Sequence, residues 1–500
     1  MNEVPGGIRR RTVRNAASSV VQLVVATLTL FVLYRVVLDI LGTAQFGIWS
    51  LVVAATSVVG LSNMGLTGSL VKYVAESDAA GDTRRLAGLV ETTAISVGVL
   101  SAVLAIAGLP LMNLYFGMTL SGDAYRSAEA IVPYALLSFS LSMVTGIYQS
   151  ALYGCHLIVQ RNAILIFESL SFLALSVVLA PRYGLPGLVY ARALQNFITL
   201  ALSIAVLRRH LPVLPWIPTR WDRTLFRELL GYAASFQFVG ILNLLMDPLT
   251  KGMLSRFGSL ELVTYFEMGT RLISQVRGAV VNANQVLVPT YAQAGTQNPG
   301  QVTALFGRSY ATIFFVTICL LGLLAASLPL VGILWLGMRQ PDFIAIATIL
   351  SVGWLINTLS VPAYFACLGT GAMGIVVRSH VIMAVLNLVL GLAFGRLWGG
   401  YGVVVAWSLA LAAGGLAAHV EFCRRSGLGW RGWFPAQGIV LLVCCVLAVA
   451  VARLTAGGMA GGTVPALAGV LAFAALFAAP ALRNPARADI QRLLLRTRAP

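Results

Sequence analysis

The sequence predicts an all-α polytopic membrane protein of about fourteen transmembrane helices: two six-helix lobes related by an internal repeat, plus two C-terminal helices. Three observations predict it. The 500-residue chain is 58% apolar and only 10% charged, whereas soluble domains carry about a quarter charged residues. Apolar runs near the ~20 residues that cross a hydrocarbon core recur along the whole length. The basic residues gather between alternate runs, as cytoplasmic loops of membrane proteins do. Such a chain leaves almost nothing for a separate soluble catalytic domain.

The runs, bounded by charge, Pro or Gly, have cores at 15–38, 47–68, 91–116, 131–153, 163–180, 187–207, 229–249, 263–291, 310–334, 343–367, 376–397, 402–421, 437–454 and 463–482. The first follows Arg9, Arg10, Arg11 and Arg14, the basic start of a signal peptide. It is too long for a signal-peptide core and lacks an A-x-A cleavage pattern, so it reads as a retained helix. An even number of spans puts both termini on one side. Of 34 Lys and Arg, 23 fall in the termini and alternate loops and 7 on the opposite side. This asymmetry orients the chain with both ends in the cytoplasm.

A weak repeat recurs at an offset near 217 residues. Leu70-Val71-Lys72-Tyr73-Val74-Ala75-Glu76 parallels Leu287-Val288-Pro289-Thr290-Tyr291-Ala292-Gln293, and Arg161 after Gly154 parallels Arg378 after Gly371. Tyr183-Gly184 pairs with Tyr401-Gly402, and Arg208-Arg209 with Arg424-Arg425. Duplicated halves are common in transporters. The expected organisation is a first lobe at 1–207, a cytoplasmic linker at 208–228, a second lobe at 229–425, and two additional helices with a basic tail at 426–500. Pro212, Pro215 and Pro218 keep the start of the linker extended. Trp221 to Leu230 reads as an amphipathic interfacial helix, as does the tail from Ala488 to Arg498; anionic lipid is the natural partner for both.

The net charge of +17 therefore points to a membrane surface rather than nucleic acid. The six cysteines lie in or beside apolar runs without zinc-ligand spacing and read as core residues. Four scattered histidines suggest no metal site or nucleophile-base pair. Gly369-Thr370-Gly371-Ala372-Met373-Gly374 fits a dinucleotide fingerprint but has no βαβ context, so it reads as a turn between spans. No catalytic constellation and no cofactor is expected; the chain reads as a transporter, not an enzyme.

Chemistry is left to ionisable residues at hydrocarbon depth, each costing roughly 2.5–3.5 kcal/mol at a helix centre unless it meets a cavity or partner. Arg35, Asp39, Glu168 and Arg192 are the first-lobe set; Asp247, Lys251, Arg256, Glu261, Glu267, Arg271 and Arg277 form a denser second set. Arg35/Asp39, Asp247/Lys251 and Glu267/Arg271 are i,i+4 pairs that share a helical face. Self-neutralising salt bridges near the interface are one reading of them. Two arginines in one span against a single Glu267 point instead to a water-filled cationic interior. Arg271 and Arg277, with Arg35, Arg192, Lys251 and Arg256, are the candidate cargo-binding residues. A phosphate-bearing headgroup suits them, because guanidinium takes phosphate oxygens bidentately. Asn243, Gln275, Asn282, Asn284 and Gln285 are candidates either for sugar contacts or for helix–helix hydrogen bonds.

Leu41-Gly42-Thr43-Ala44-Gln45-Phe46-Gly47, Gly65-Leu66, Lys72-Tyr73-Val74-Ala75-Glu76 and the Tyr183-Gly184-Leu185-Pro186-Gly187 element resemble motifs of polysaccharide flippases in the multidrug/oligosaccharidyl-lipid/polysaccharide exporter (MOP) superfamily. Its second Y-G-x-x-G copy, at Tyr401-Gly402, lacks the second glycine. The resemblance spans residues 10 to 425. It implies alternating access, a polyprenyl-pyrophosphate-linked O-antigen or exopolysaccharide unit as cargo, and a polysaccharide polymerase or other assembly protein as partner. It also implies possible coupling to a proton or sodium gradient, for which Asp39, Asp247 and Glu267 are the candidates. A peptidoglycan lipid precursor flippase, a drug or ion antiporter, and a membrane-embedded glycosyltransferase or ligase are the alternatives. An antiporter fits the arginine excess poorly, and an enzyme would need a larger outward loop than 117–130.

Overall fold

The computed structural model describes residues 6–63, 65–285, 287–297, 299–428, 436–457 and 462–487. The proposed C-terminal amphipathic helix, 488–498, lies outside the described residues. Among the described residues there are fifteen α-helices, a short 3₁₀ stretch and no strand. They divide into two compact units, Met1–Gly252 and Met253–Pro500.

The first unit contains α1 (Gly6–Thr56), the 3₁₀ stretch Ser57–Asn63, α2 (Leu66–Ala79), α3 (Thr83–Thr119), α4 (Gly122–Gly154), α5 (Ile158–Tyr183) and α6 (Leu185–His210). It also holds most of α7 (Arg223–Phe257), within which the boundary falls. The second contains α8 (Leu260–Gln285), α9 (Val288–Gln297), α10 (Pro299–Leu336), α11 (Pro341–Leu359), α12 (Val361–Thr370), α13 (Met373–Arg425), α14 (Ala436–Gly457) and α15 (Thr463–Arg483).

Among the described residues ten segments are long and apolar enough to cross a membrane, and α7 and α8, which hold the expected spans 229–249 and 263–291, are not among them; the two longest exceed a single crossing. The 53 residues of α13 would run about 80 Å at 1.5 Å per residue, more than twice a bilayer core. Gly399 (φ 63°, ψ −149°) breaks it into two spans, as Gly42 (φ 76°, ψ 171°) breaks α1. The expected spans 376–397 and 402–421 are the two halves of α13. The expected second span, 47–68, is a composite: the end of α1, the 3₁₀ stretch and the start of α2. Thr56 and Ser57 bond back to the carbonyls of Val53 and Ala54, which favours a tightened turn, and left-handed Gly65 (φ 73°) then starts α2. The expected span 263–291 likewise ends at Gln285, and 343–367 is divided at Ser360, before Pro362.

The repeat is sharper in the backbone than in the letters. Gly184 (φ 62°, ψ −138°) separates α5 from α6 in the conformation that Gly399 adopts between the halves of α13. Three residues on, a Cβ at Gly187 would overlap the carbonyl of Leu179, and one at Gly402 that of Phe394. The shared element is therefore G-x-x-G, as Gly184/Gly187 and Gly399/Gly402. The second copy keeps both glycines; pairing Tyr183-Gly184 with Tyr401-Gly402 placed it three residues out of register. Earlier in each half, Gly154 lies against Val71 O (3.0 Å from a built Cβ) and Gly369 against Val288 O (2.7 Å). The turn that follows holds His156 (φ 56°) in one half and Gly371 (φ 75°) in the other.

Each unit has its own core. In the first, Leu70, Val74, Leu89, Val90, Ile147, Tyr148, Leu152 and Leu207 are sealed together with Leu211 and Leu214. Asn196 of α6 donates to Ser138 of α4, and Asn162 of α5 donates to Ser18 and Ser19 of α1. In the second unit, α14 and α15 pack together and against α10. Arg453 of α14 donates to Thr348 of α11 (2.9 Å), and Arg339 donates to the Ala456 carbonyl at the end of α14 (2.9 Å).

The connection between the repeats is anchored rather than loose. Buried Glu91 of α3 accepts hydrogen bonds from the backbone amides of Thr219 (2.9 Å) and Arg220 (3.1 Å). Thr92 accepts from the amide of Asp222, and Trp221 donates its indole N–H to Ser96. Arg85 pairs with Glu228 at 2.7 Å, and Arg208 lies over the Trp216 ring. Asp222 then caps α7 by accepting from Thr224 and Leu225, the N-cap geometry expected of Asp. The amphipathic stretch from Trp221 is thus no separate helix; from Arg223 it forms the first turns of α7.

Candidate functional site

In the first unit, the charged candidates are paired within it. Arg35 pairs with Asp39 (2.9 Å), both partly exposed. Arg192 lies 3.8 Å from Glu168 and over the Phe172 ring. Lys251, only 2% exposed, reaches Asp247 at 2.8 Å, and that carboxylate is 45% exposed. Pro248 has no N–H to offer its helix; its carbonyl accepts a 2.6 Å hydrogen bond from Tyr115 of α3. Gly252 lets the Tyr115 ring approach, since a Cβ there would lie 2.6 Å from the hydroxyl. Tyr115 escaped sequence reasoning: one tyrosine in an apolar run carries no sign of a partner 133 residues away.

In the second unit, Glu267, Arg271 and Arg277 lie along α8. Glu267 is buried and accepts from Arg271 Nε at 2.6 Å, leaving the Arg271 side chain 53% exposed. Arg277 is placed differently. Its guanidinium lies 4.6 Å from the centre of the Trp354 ring and donates to the neutral side-chain oxygen of Asn357 at 3.3 Å. Asn357 is fixed in turn by donating to the Leu411 carbonyl, and Trp354 packs edge-on to Trp407, which does the same to Phe266. Arg277 Nε is buried with no hydrogen-bond partner among the described residues, and no ion pair to this residue occurs among them. Arg256, in the last turn of α7, is exposed.

The geometry thus sorts the candidates. Arg35, Arg192, Lys251 and Arg271 each carry a carboxylate, whereas Arg277 is held by an aromatic face and an amide that leave its charge uncancelled. Trp354 and Asn357 carry no signal in the sequence, because a tryptophan and one amide within the mostly apolar α11 do not reveal a partner on α8. Among the amide candidates, Asn284 serves helix packing: it accepts from Ser309 of α10 and donates to Val280 O.

Residues 12–294 match the family model described as polysaccharide biosynthesis protein. The chain belongs to that family. No curated protein matches it. Among solved structures, it is similar to an inward-facing multidrug resistance MATE family transporter of the MOP superfamily, with TM-score 0.70 and 14% identity over 82% of this chain and 98% of that one. It is equally similar to the lipid II flippase MurJ in an inward closed conformation, with TM-score 0.70 and 13% identity over 94% and 98%. A MOP superfamily transporter from Pyrococcus furiosus follows, with TM-score 0.60 and 13% identity over 85% and 99%. At these identities the likeness is one of fold, and it agrees with the helical, repeated architecture described above. Family and fold together bear out the resemblance to MOP-superfamily polysaccharide flippases.

Proposed function

We propose that this family member is a flippase that carries a polyprenyl-pyrophosphate-linked oligosaccharide across the bacterial cytoplasmic membrane, by alternating access, for surface polysaccharide biosynthesis. The observation that carries this reading is Arg277. A guanidinium buried against apolar surface is costly without an anion, and here the protein supplies an aromatic face and an amide in place of a carboxylate. Cation–π contact offsets part of the desolvation, up to about 2 kcal/mol, and leaves the N–H fork with a neutral amide oxygen, not a carboxylate, as its acceptor. A pyrophosphate fits that fork, because bidentate charge-assisted hydrogen bonds are strongest to such oxygens. Arg271, half exposed beside its buried Glu267, supplies the second cation.

Proton or sodium coupling then falls to Asp247, Glu267 or Asp39, each already paired with a cation it can exchange for a bound ion. Both termini are assigned to the cytoplasm, where the basic loops meet anionic lipid, and a polysaccharide polymerase is the expected partner on the other side. A peptidoglycan precursor flippase is the second reading, favoured by the MurJ-like fold over 94% of the chain. Deleting the gene and measuring which lipid-linked glycan accumulates facing the cytoplasm decides between them. Accumulation of polyprenyl-linked polysaccharide units supports the proposal, accumulation of the peptidoglycan precursor supports the second reading, and no accumulation of either removes both.

A further inference from the structure

One cluster of metal-ligating side chains stands outside everything assigned above. Asp78 at the end of α2, Cys155 in the turn between α4 and α5, and His210 at the last residue of α6 each turn one donor atom toward a common point, with all three atoms within 4.8 Å of one another. His210 Nε2 lies 3.1 Å from Asp78 Oδ1. Cys155 is buried at 2% exposure, whereas His210 and Asp78 are about one-third exposed at 37% and 29%. The gaps of 77 and 55 residues follow no zinc-ligand spacing, so only the fold reveals the group.

The repeat shows that the fold does not require these residues. Gly154 and Gly369, approaching Val71 O and Val288 O in turn, put Cys155 in register with Thr370 and Asp78 with Gly295. The G-x-x-G elements put the end of α6 in register with the end of α13, and so His210 with Arg425. In the second unit Gly295, Thr370 and Arg425 line an open pocket of about 570 Å³ with no metal-ligating side chain among the three. The first unit has replaced all three positions with a carboxylate, a thiol and an imidazole.

We propose that Asp78, Cys155 and His210 form a binding site for a borderline-soft divalent cation, Zn²⁺ by preference. Sulfur, nitrogen and oxygen donors together match zinc, which takes bonds of about 2.3, 2.0 and 2.1 Å to them in tetrahedral geometry. Such a site needs donors about 3.3–3.8 Å apart; the Asp78–His210 pair, at 3.1 Å, opens slightly and the Cys155 sulfur closes in by up to about 1 Å. The exposed side leaves the fourth position to water. Binding forms a sulfur–zinc bond and breaks the Cys155 S–H bond, with the proton passing to solvent. The ion would tie together three elements where the 211–222 connection leaves α6, stapling the anchored segment to its unit. The proposal is independent of the cargo assignment.

The test uses the full chain, purified in detergent with any histidine tag removed and equilibrated against chelator-buffered Zn²⁺. The expected result is one zinc per chain by elemental analysis and about one proton released per zinc bound. Substituting Co²⁺ should give a thiolate-to-metal charge-transfer band in the near ultraviolet. Cys155→Ser abolishes the band, and His210→Gln and Asp78→Asn each weaken binding at least ~10-fold. Absence of bound zinc at micromolar free metal overturns the site, leaving an ordinary Asp78–His210 ion pair beside a buried thiol. Full stoichiometry and an unchanged band in Cys155→Ser overturn it equally. If that variant aggregates, the wild-type band together with its loss in His210→Gln carries the decision, and a missing wild-type band refutes the proposal.

Discussion

Replacing Gly402 by alanine tests whether the G-x-x-G elements hold together the two helical segments that each of them joins within its unit. The added Cβ would lie 2.6 Å from the Phe394 carbonyl carbon, and at Gly187 it would lie 2.7 Å from that of Leu179. Ordinary carbon contacts lie at about 3.5–4.0 Å, so each substitution forces about 1 Å of overlap. The opposing atoms are backbone, so no rotamer change relieves the clash and the spans must part. Overpacking of this kind costs about 3 kcal/mol. Thermal unfolding of the purified chain in detergent, followed by tryptophan fluorescence, should show both midpoints lowered by about 6–12 °C. Gly108→Ala is the control: it lies inside α3 with nothing within 4 Å of a built Cβ, so it should be neutral or stabilise by up to about 1 kcal/mol. If Gly402→Ala and Gly187→Ala melt within about 1 °C of the wild type, the elements do not bear the packing assigned to them.

Two further outcomes are expected. Glu91→Ala removes the acceptor for two amides of the connection, a loss of about 2–3 kcal/mol for charged hydrogen bonds. Limited trypsinolysis should then cut at Arg220 and Arg223 at least tenfold faster than in the wild type, and unchanged protection would mean that the connection is held elsewhere. If these carboxylates couple transport to an ion gradient, Asp247→Asn or Glu267→Gln should uncouple transport from it in vesicles. Full gradient dependence in both variants would remove them from that role.

The helical membrane fold was legible because hydrocarbon imposes a length and an apolarity that composition cannot disguise. Its breaks were less so. Gly42 and Gly399 turn the chain within what is nearly continuous helix, and the 3₁₀ stretch at Ser57–Asn63 ends an apolar segment with no charge or proline to mark it. The register of the repeat was obscured because tyrosine and glycine recur around 183 and 401, whereas backbone approach, set by Gly187 and Gly402, leaves no trace in side-chain chemistry. The i,i+4 ion pairs were legible, since helical geometry alone brings such residues together. What distinguishes Arg277 was hidden: Trp354 and Asn357 lie about 80 residues away. Glu91 was passed over because an acid at the head of an apolar run reads as an ordinary boundary, while its partners are backbone amides.

The central claim is that the arginines of α8 handle a phosphorylated lipid head, and a reconstituted transport assay addresses it most directly. The full chain would be placed in proteoliposomes with a radiolabelled polyprenyl-pyrophosphate glycan, and outward exposure of the glycan followed with an impermeant glycan-modifying enzyme. The wild type should expose the glycan in time, and Arg271→Ala/Arg277→Ala, inserted to the same level and equally monodisperse, should not exceed protein-free vesicles. Wild-type rates in the double variant would contradict the account.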